Sequence, residues 1–277
     1  MGVHEAQSER REQRLAFSAA FAKIGPEAPS EGDEAALARG AAVGAATAAL
    51  AFASAVAVVK DPGAAEDVVD LCHSLYTCGV AASSWLGVHW RKRPRCDGRE
   101  SEVLVLTPPA YARAAAMFRR SMGYFWADAV YILVCRCGLG HRPHQWAERL
   151  AHHGLQTVAN LSCLLPGPGL EARGCMLALA YLAEASSVPL RLASLARRAQ
   201  AGEVVSKLLR SATLGSFFLA RLVNGFFCLY QLHVARHHLA PTTLRFQLAG
   251  GSAAYVLNLA WFFRLLRSKT SRSSSLQ

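Results

Sequence analysis

Charge is scarce in this chain. Of 277 residues only 18% are Asp, Glu, Lys or Arg, against 52% hydrophobic, which leaves too little polar surface for an ordinary water-soluble domain of this length. Glycine and proline, 21 and 11 in number, are too few for a collagen-like chain, and the abundance of apolar residues excludes a disordered one. Acids are the scarcer sign, 19 against 30 Lys and Arg, for a net charge of +11. A nucleic-acid binder would gather that excess into one stripe. Here the bases fall in short clusters between apolar runs, such as Arg91-Lys92-Arg93 and Arg197-Arg198. That placement suits flanks at a lipid interface, so nucleic acid is not an expected partner.

Paired metal-binding cysteines are also missing. Cys135 and Cys137 are separated by one residue, too tight for a zinc knuckle, and no second pair stands nearby, so no metal is expected. Most of the eight cysteines lie in or beside apolar segments and read as reduced, buried small residues rather than a disulfide framework. Residues 1–34 mix acids and bases without the apolar core of a signal peptide and read as a polar tail. Residues 268–277 read as a second polar tail, leaving a single domain over 35–267.

What fills that domain is apolar sequence. Seven runs bounded by charge or turn residues cover about 35–59, 68–90, 122–134, 150–165, 175–195, 204–232 and 246–266. A break is expected at Pro108-Pro109, and another at Pro166 to Gly169. The runs lack period-two alternation, which argues against a barrel. The expected fold is all-α: a multi-pass transmembrane helical bundle of six to eight spans.

Several runs carry polar groups that a simple anchor would avoid, since an ionisable side chain at mid-bilayer costs about 2.5–3.5 kcal/mol on insertion scales. Asp128, His152, His153, Glu184, Arg221 and Asn258 need partners. Thr157 follows His153 by four residues and Ser187 follows Glu184 by three, so each pair shares a helix face. Two readings compete: a polar cavity inside the bundle, or hydrogen bonds between helices that fix their packing. The charges favour the cavity, lined by Asp128, His152, His153, Thr157, Glu184, Ser187, Arg221 and Asn258.

Five strings in order carry a resemblance: Gly123-Tyr124-Phe125-Trp126-Ala127-Asp128, His152-His153 with Thr157, Leu182 to Pro189, Phe217-Phe218-Leu219-Ala220-Arg221, and Leu257 to Phe262. Together they resemble the TLC domain, shared by translocating-chain-associated membrane proteins, ceramide synthases and other multi-pass proteins. His73-Ser74 is similar to the polar pair that opens the domain. In ceramide synthases the paired His precede a second box with two Asp, a set implicated in acyl transfer from acyl-CoA to a sphingoid amine. This chain has His152 and His153, but the second box reads Ala183-Glu184 with Ser187 where the second acid would stand. That pattern is similar to the non-synthase branch. The resemblance therefore implies an endoplasmic-reticulum protein of membrane lipid homeostasis, with membrane lipids as partners, no cofactor and no committed catalytic residue. A homo-oligomer is left open.

Three alternatives stand beside it. As an acyltransferase, the chain would use acyl-CoA, with His152, His153 and Glu184 as catalytic candidates. As a translocon-associated scaffold, the same residues would be interhelical contacts. A di-iron reading rests on His141 with His144 and on His233 with His237 and His238, but only the second group approaches the spacing such centres use.

Overall fold

A computed structural model describes residues 38–48, 50, 62–94, 100–138, 146–165, 167 and 169–270. Among these the chain is helical apart from one β-hairpin. A helix over 38–48, α1, is followed by α2 (Pro62–Trp85), strands β1 (Val88–Pro94) and β2 (Glu100–Leu106), α3 (Pro108–Gly138) and α4 (Trp146–Leu164). Next come α5 (Leu170–Tyr181), a 3-10 turn (Leu182–Ser186) and α6 (Ser187–Arg198) as one long rod. A second rod holds α7 (Glu203–Phe217), a π-helical segment (Phe218–Val223), α8 (Asn224–Val234) and a 3-10 turn (Ala235–His238), before α9 (Pro241–Thr270).

The two rods, 29 residues at mean hydropathy 1.2 and 36 at 1.5, are long and apolar enough to cross a membrane. Three expected runs prove too short. The run at 122–134 belongs to the 31-residue α3, because Pro108 and Pro109 open a helix, where a missing N–H costs nothing, instead of breaking one. Runs four and seven extend likewise, to Trp146–Leu164 and Pro241–Thr270. The first run is seen as helix over 38–48, and its remainder, like both tails, lies outside the described residues.

The hairpin is the one departure from the all-α expectation among the described residues. The second run ends as helix at Trp85, and Val88, His89 and Trp90 pair antiparallel with Leu106, Val105 and Leu104. Val103-Leu104-Val105-Leu106 is a short apolar run with two β-branched residues, which suits a strand buried on both faces. Leu104 and Leu106 join the main core with Phe118, Met117 and Tyr181, while Val103 and Val105 pack on Ala172 and Ala235. Ser101 hydrogen-bonds His238 at 2.7 Å, and Arg91 and Arg93 pair with Glu171, which ties the hairpin to α5 and to the end of the second rod.

Close helix contact depends on small residues. A side chain on Gly123 would stand 2.0 Å from the Ala41 carbonyl oxygen, and one on Gly44 2.2 Å from that of Arg120. The α1–α3 crossing is thus a backbone-to-backbone contact of the small-xxx-small kind, with Gly40 and Gly44 four apart. Gly169, at φ 71°, turns the chain into α5 in a left-handed conformation that other residues rarely adopt.

Candidate functional site

Two irregular turns face each other half-way along the two rods. Pro189 cannot donate to Ala185 and its ring crowds that carbonyl, and the turn just before it tightens to 3-10 over Leu182–Ser186. In the second rod the helix widens by a π turn over Phe218–Val223, a distortion that often re-aims a side chain at a functional site. Here it carries Arg221 inward. The Arg221 guanidinium donates to Ser186 Oγ (2.7 Å), Ser187 Oγ (2.9 Å) and Asn258 Oδ1 (3.2 Å).

Glu184 lies 3.9 Å from Arg221, too far for a direct hydrogen bond, and Ser187 closes the gap. Its hydroxyl accepts from Arg221 and donates to Glu184 Oε2 at 2.9 Å, and Ser74 of α2 donates to the same oxygen at 3.3 Å. Position 187, where a ceramide synthase would carry a second acid, here bridges an ion pair.

Behind this pair runs a denser network. Asp128 accepts two hydrogen bonds from Arg149 (2.7 and 2.8 Å) and lies 2.6 Å from His153 Nε2. Arg149 also reaches Glu66. Arg191 pairs with Asp67 (3.1 Å) and Asp70, and Asp70 accepts from the Tyr124 hydroxyl. Ser194 and Arg198 complete the shell of Asp67 at 2.6 and 3.3 Å. This network joins α2, α3, α4 and α6 at the end where α2 and α4 begin. Each carboxylate has a cationic partner, as a buried charge requires.

Between the two clusters lie three imidazoles around one ring. Phe125 contacts His153 (centroids 4.9 Å), His73 (5.5 Å) and His152 (6.4 Å), while His73 stacks on Tyr124 at 3.8 Å. Among the described residues His73 Nε2 and His153 Nδ1 are buried without a hydrogen-bond partner. His152 differs: among the described residues its ring touches Phe125, His153 and Trp261 without a hydrogen bond, and its side chain opens on a cavity.

That cavity, about 200 Å³, runs between α4, the first rod, the π segment with α8, and α9. His152, Glu184, Arg221, Asn258 and Trp261 form one polar end. Ala159, Ala180, Gly225 and Gly250 leave room along its length, with Leu155, Met176 and Leu177 supplying apolar walls. Ser162, Arg173 and Gln247 stand at the far end. His152 and Ser162 are ten residues apart on one helix, so the two ends are separated by about 15 Å.

A family model described as the TLC domain matches residues 64–267, most of the chain. The chain belongs to the TLC-domain family. No curated protein and no solved structure matches it. TLC-domain proteins are membrane proteins linked to lipid metabolism, and this chain is one of them.

Of the eight residues expected at a cavity, His152, Glu184, Arg221 and Asn258 line this one. Ser187 sits behind them as the bridge, Asp128 and His153 belong to the ion network, and Thr157 is half-buried away from the lining. The ion network of Glu66, Asp67, Asp70, Arg149 and Arg191 was not singled out: Glu66, Asp67 and Arg149 fall just before apolar runs and were read as flanks, while Asp70 and Arg191 fall inside the second and fifth runs. Its signal was the i, i+1, i+4 spacing of three acids in a chain poor in acids. The five described free cysteines are Cys72, exposed, Cys78 and Cys228, half-buried, and Cys163 and Cys175, buried. His141 and His144 lie outside the described residues, whereas His233, His237 and His238 sit at the hairpin end, away from His152.

Proposed function

We propose that this TLC-domain protein is a multi-pass protein of the endoplasmic reticulum that holds the acyl chain of a membrane lipid in its cavity and so acts in lipid homeostasis. The observation that carries this reading is the cavity itself, a narrow channel with apolar and small-residue walls and a charged, hydrogen-bonding end. Trp85, Leu86 and Trp90, all exposed beside Arg91 and Lys92, support setting the hairpin at a lipid interface. The His152 end then lies near mid-bilayer, about 15 Å below it. The test is lipid retention by protein purified in mild detergent. Gly250 lines the cavity with open space where a side chain would start, so Gly250→Phe should fill the channel and remove the retained lipid while the fold persists. Equal lipid content in the variant and wild type refutes the reading.

One observation favours a second reading, acyl transfer from acyl-CoA: the His152 ring opens on the cavity within the same polar end as Glu184. Purified protein given long-chain acyl-CoA and a sphingoid base is expected to form no N-acylated product. Product that disappears in His152→Ala would replace lipid holding with catalysis.

A further inference from the structure

The far end of the cavity holds a cation without a counter-ion. Arg173 is 5% exposed, yet among the described residues no carboxylate lies within ion-pair distance of it. Its terminal nitrogens donate only to main-chain carbonyls at the end of α4: Ser162, Leu165 at 3.1 Å and Gly167 at 3.3 Å. Its Nε is buried and, among the described residues, has no hydrogen-bond partner. The nearest acid in sequence, Glu171, is engaged by Arg91 and Arg93 of the hairpin.

A second orphan faces the same place from another helix. The Ser162 hydroxyl gives its proton to the Ala159 carbonyl at 2.7 Å, so it can only accept from Gln247 Nε2, at 3.3 Å. That fixes the amide and leaves Gln247 Oε1, an acceptor, buried without a donor. Capping the α4 carbonyls explains part of the Arg173 side chain, but a neutral donor would do that without bringing a full charge into the interior. A buried cation beside an unpaired acceptor calls for a ligand that supplies an anion and a hydroxyl together.

We infer that the Arg173–Gln247 end of the cavity binds the head of a single-chain lipid that carries both a phosphate and a free hydroxyl, the chain running from there toward His152. This rests on the lipid-holding reading above and adds the class of lipid and its direction. It sets the head at the hairpin end, among the basic residues Arg91, Lys92 and Arg93, where anionic heads concentrate at a membrane surface.

A matched pair of probes tests it: a 1-acylglycerol and the same 1-acylglycerol carrying a 3-phosphate, titrated into the full chain in phosphatidylcholine nanodiscs. The wild type should bind the phosphate form at least about tenfold more tightly, the gain expected of a charge-assisted hydrogen bond. Arg173→Gln should bring the ratio to near one. Since that variant also loses the cap on α4, Gln247→Glu serves as the second: it leaves Arg173 in place and gives it a carboxylate partner, so the preference for the phosphate form over the neutral form should fall about tenfold or more. Equal binding of both lipids by the wild type overturns the anion site while leaving the cavity reading intact. Binding of neither overturns both. Inorganic phosphate that displaces the phosphate lipid at comparable concentration would make this a site for the free anion and overturn the lipid assignment.

Discussion

Glu184 and Arg221 offer the sharpest test of how the site is held. Arg221→Met keeps the apolar stem of the side chain and removes the guanidinium, leaving Glu184 with two hydroxyl donors, Ser74 and Ser187, and no cation. At 3.9 Å and an effective dielectric near 20 the direct attraction is about 4 kcal/mol, and removing one member of a buried pair costs about 3–5 kcal/mol. Glu184→Gln should cost less, because Arg221 retains Ser186, Ser187 and Asn258 as acceptors. The double variant buries no charge and should be more stable than Arg221→Met alone, with a coupling above about 1.5 kcal/mol. Equilibrium unfolding in mixed micelles, followed by tryptophan fluorescence, gives the four stabilities of the cycle. Ser187→Ala, which removes the bridging hydroxyl, should lower that coupling. Additivity of the two single changes within about 0.5 kcal/mol would show that the residues are neighbours and not partners, and the reasoning would fail.

Two further outcomes follow from packing and charge. Gly123→Leu places side-chain atoms where the Ala41 carbonyl stands, so it should detach α1 and expose residues 38–48 to protease, whereas Gly79→Ala, in open space within α2, should be tolerated and add about 0.5–1 kcal/mol of stability. Asp128→Asn leaves Arg149 with Glu66 alone and removes the charged partner of His153; a loss of about 3–5 kcal/mol is expected in the same unfolding assay, and a loss under about 1 kcal/mol would mean that Asp128 is dispensable to the network.

The helices were legible because apolar length is a direct statement about solvent: runs of about 20 residues have few other uses. Their ends were less legible: Pro108-Pro109 looks like a break but opens a helix, and the acids at 66, 67 and 70 look like loop composition until Arg149 and Arg191 are brought to them from elsewhere in the chain. The hairpin was hidden for a similar reason. Val103 to Leu106 is too short to separate from helix by pattern, and its partner Val88 to Arg91 mixes apolar and polar residues without a clean alternation. At the site, charge in an apolar run marked His152, Glu184, Arg221 and Asn258, but Arg173 and Gln247 lay at run boundaries, where a polar residue carries no signal.

Most polar side chains near the paired turns have structural work that follows from the turns themselves. Interrupting two apolar helices of membrane-spanning length half-way frees backbone carbonyls that a lipid surrounding could not satisfy. Ser186 donates to the Ala183 carbonyl at 2.8 Å, Asn224 donates to that of Leu179 at 2.8 Å, and Arg221 ties both serines to Asn258. Among the expected residues that line the cavity, His152 stands apart, for among the described residues its ring touches Phe125, His153 and Trp261 and makes no hydrogen bond. Stability and function should therefore separate at this position. His152→Leu keeps an apolar side chain of moderate size against Phe125 and Trp261, so unfolding should shift by less than about 1.5 kcal/mol, the range of tolerated volume-conserving swaps. The set of acyl chains retained should change, because the end of the cavity that the chain tip reaches loses its one imidazole and becomes more apolar. If His152→Leu instead unfolds the protein as strongly as Arg221→Met while the set of acyl chains retained is unchanged, His152 is part of the frame, and the polar end of the cavity is held by Glu184, Arg221 and Asn258 alone.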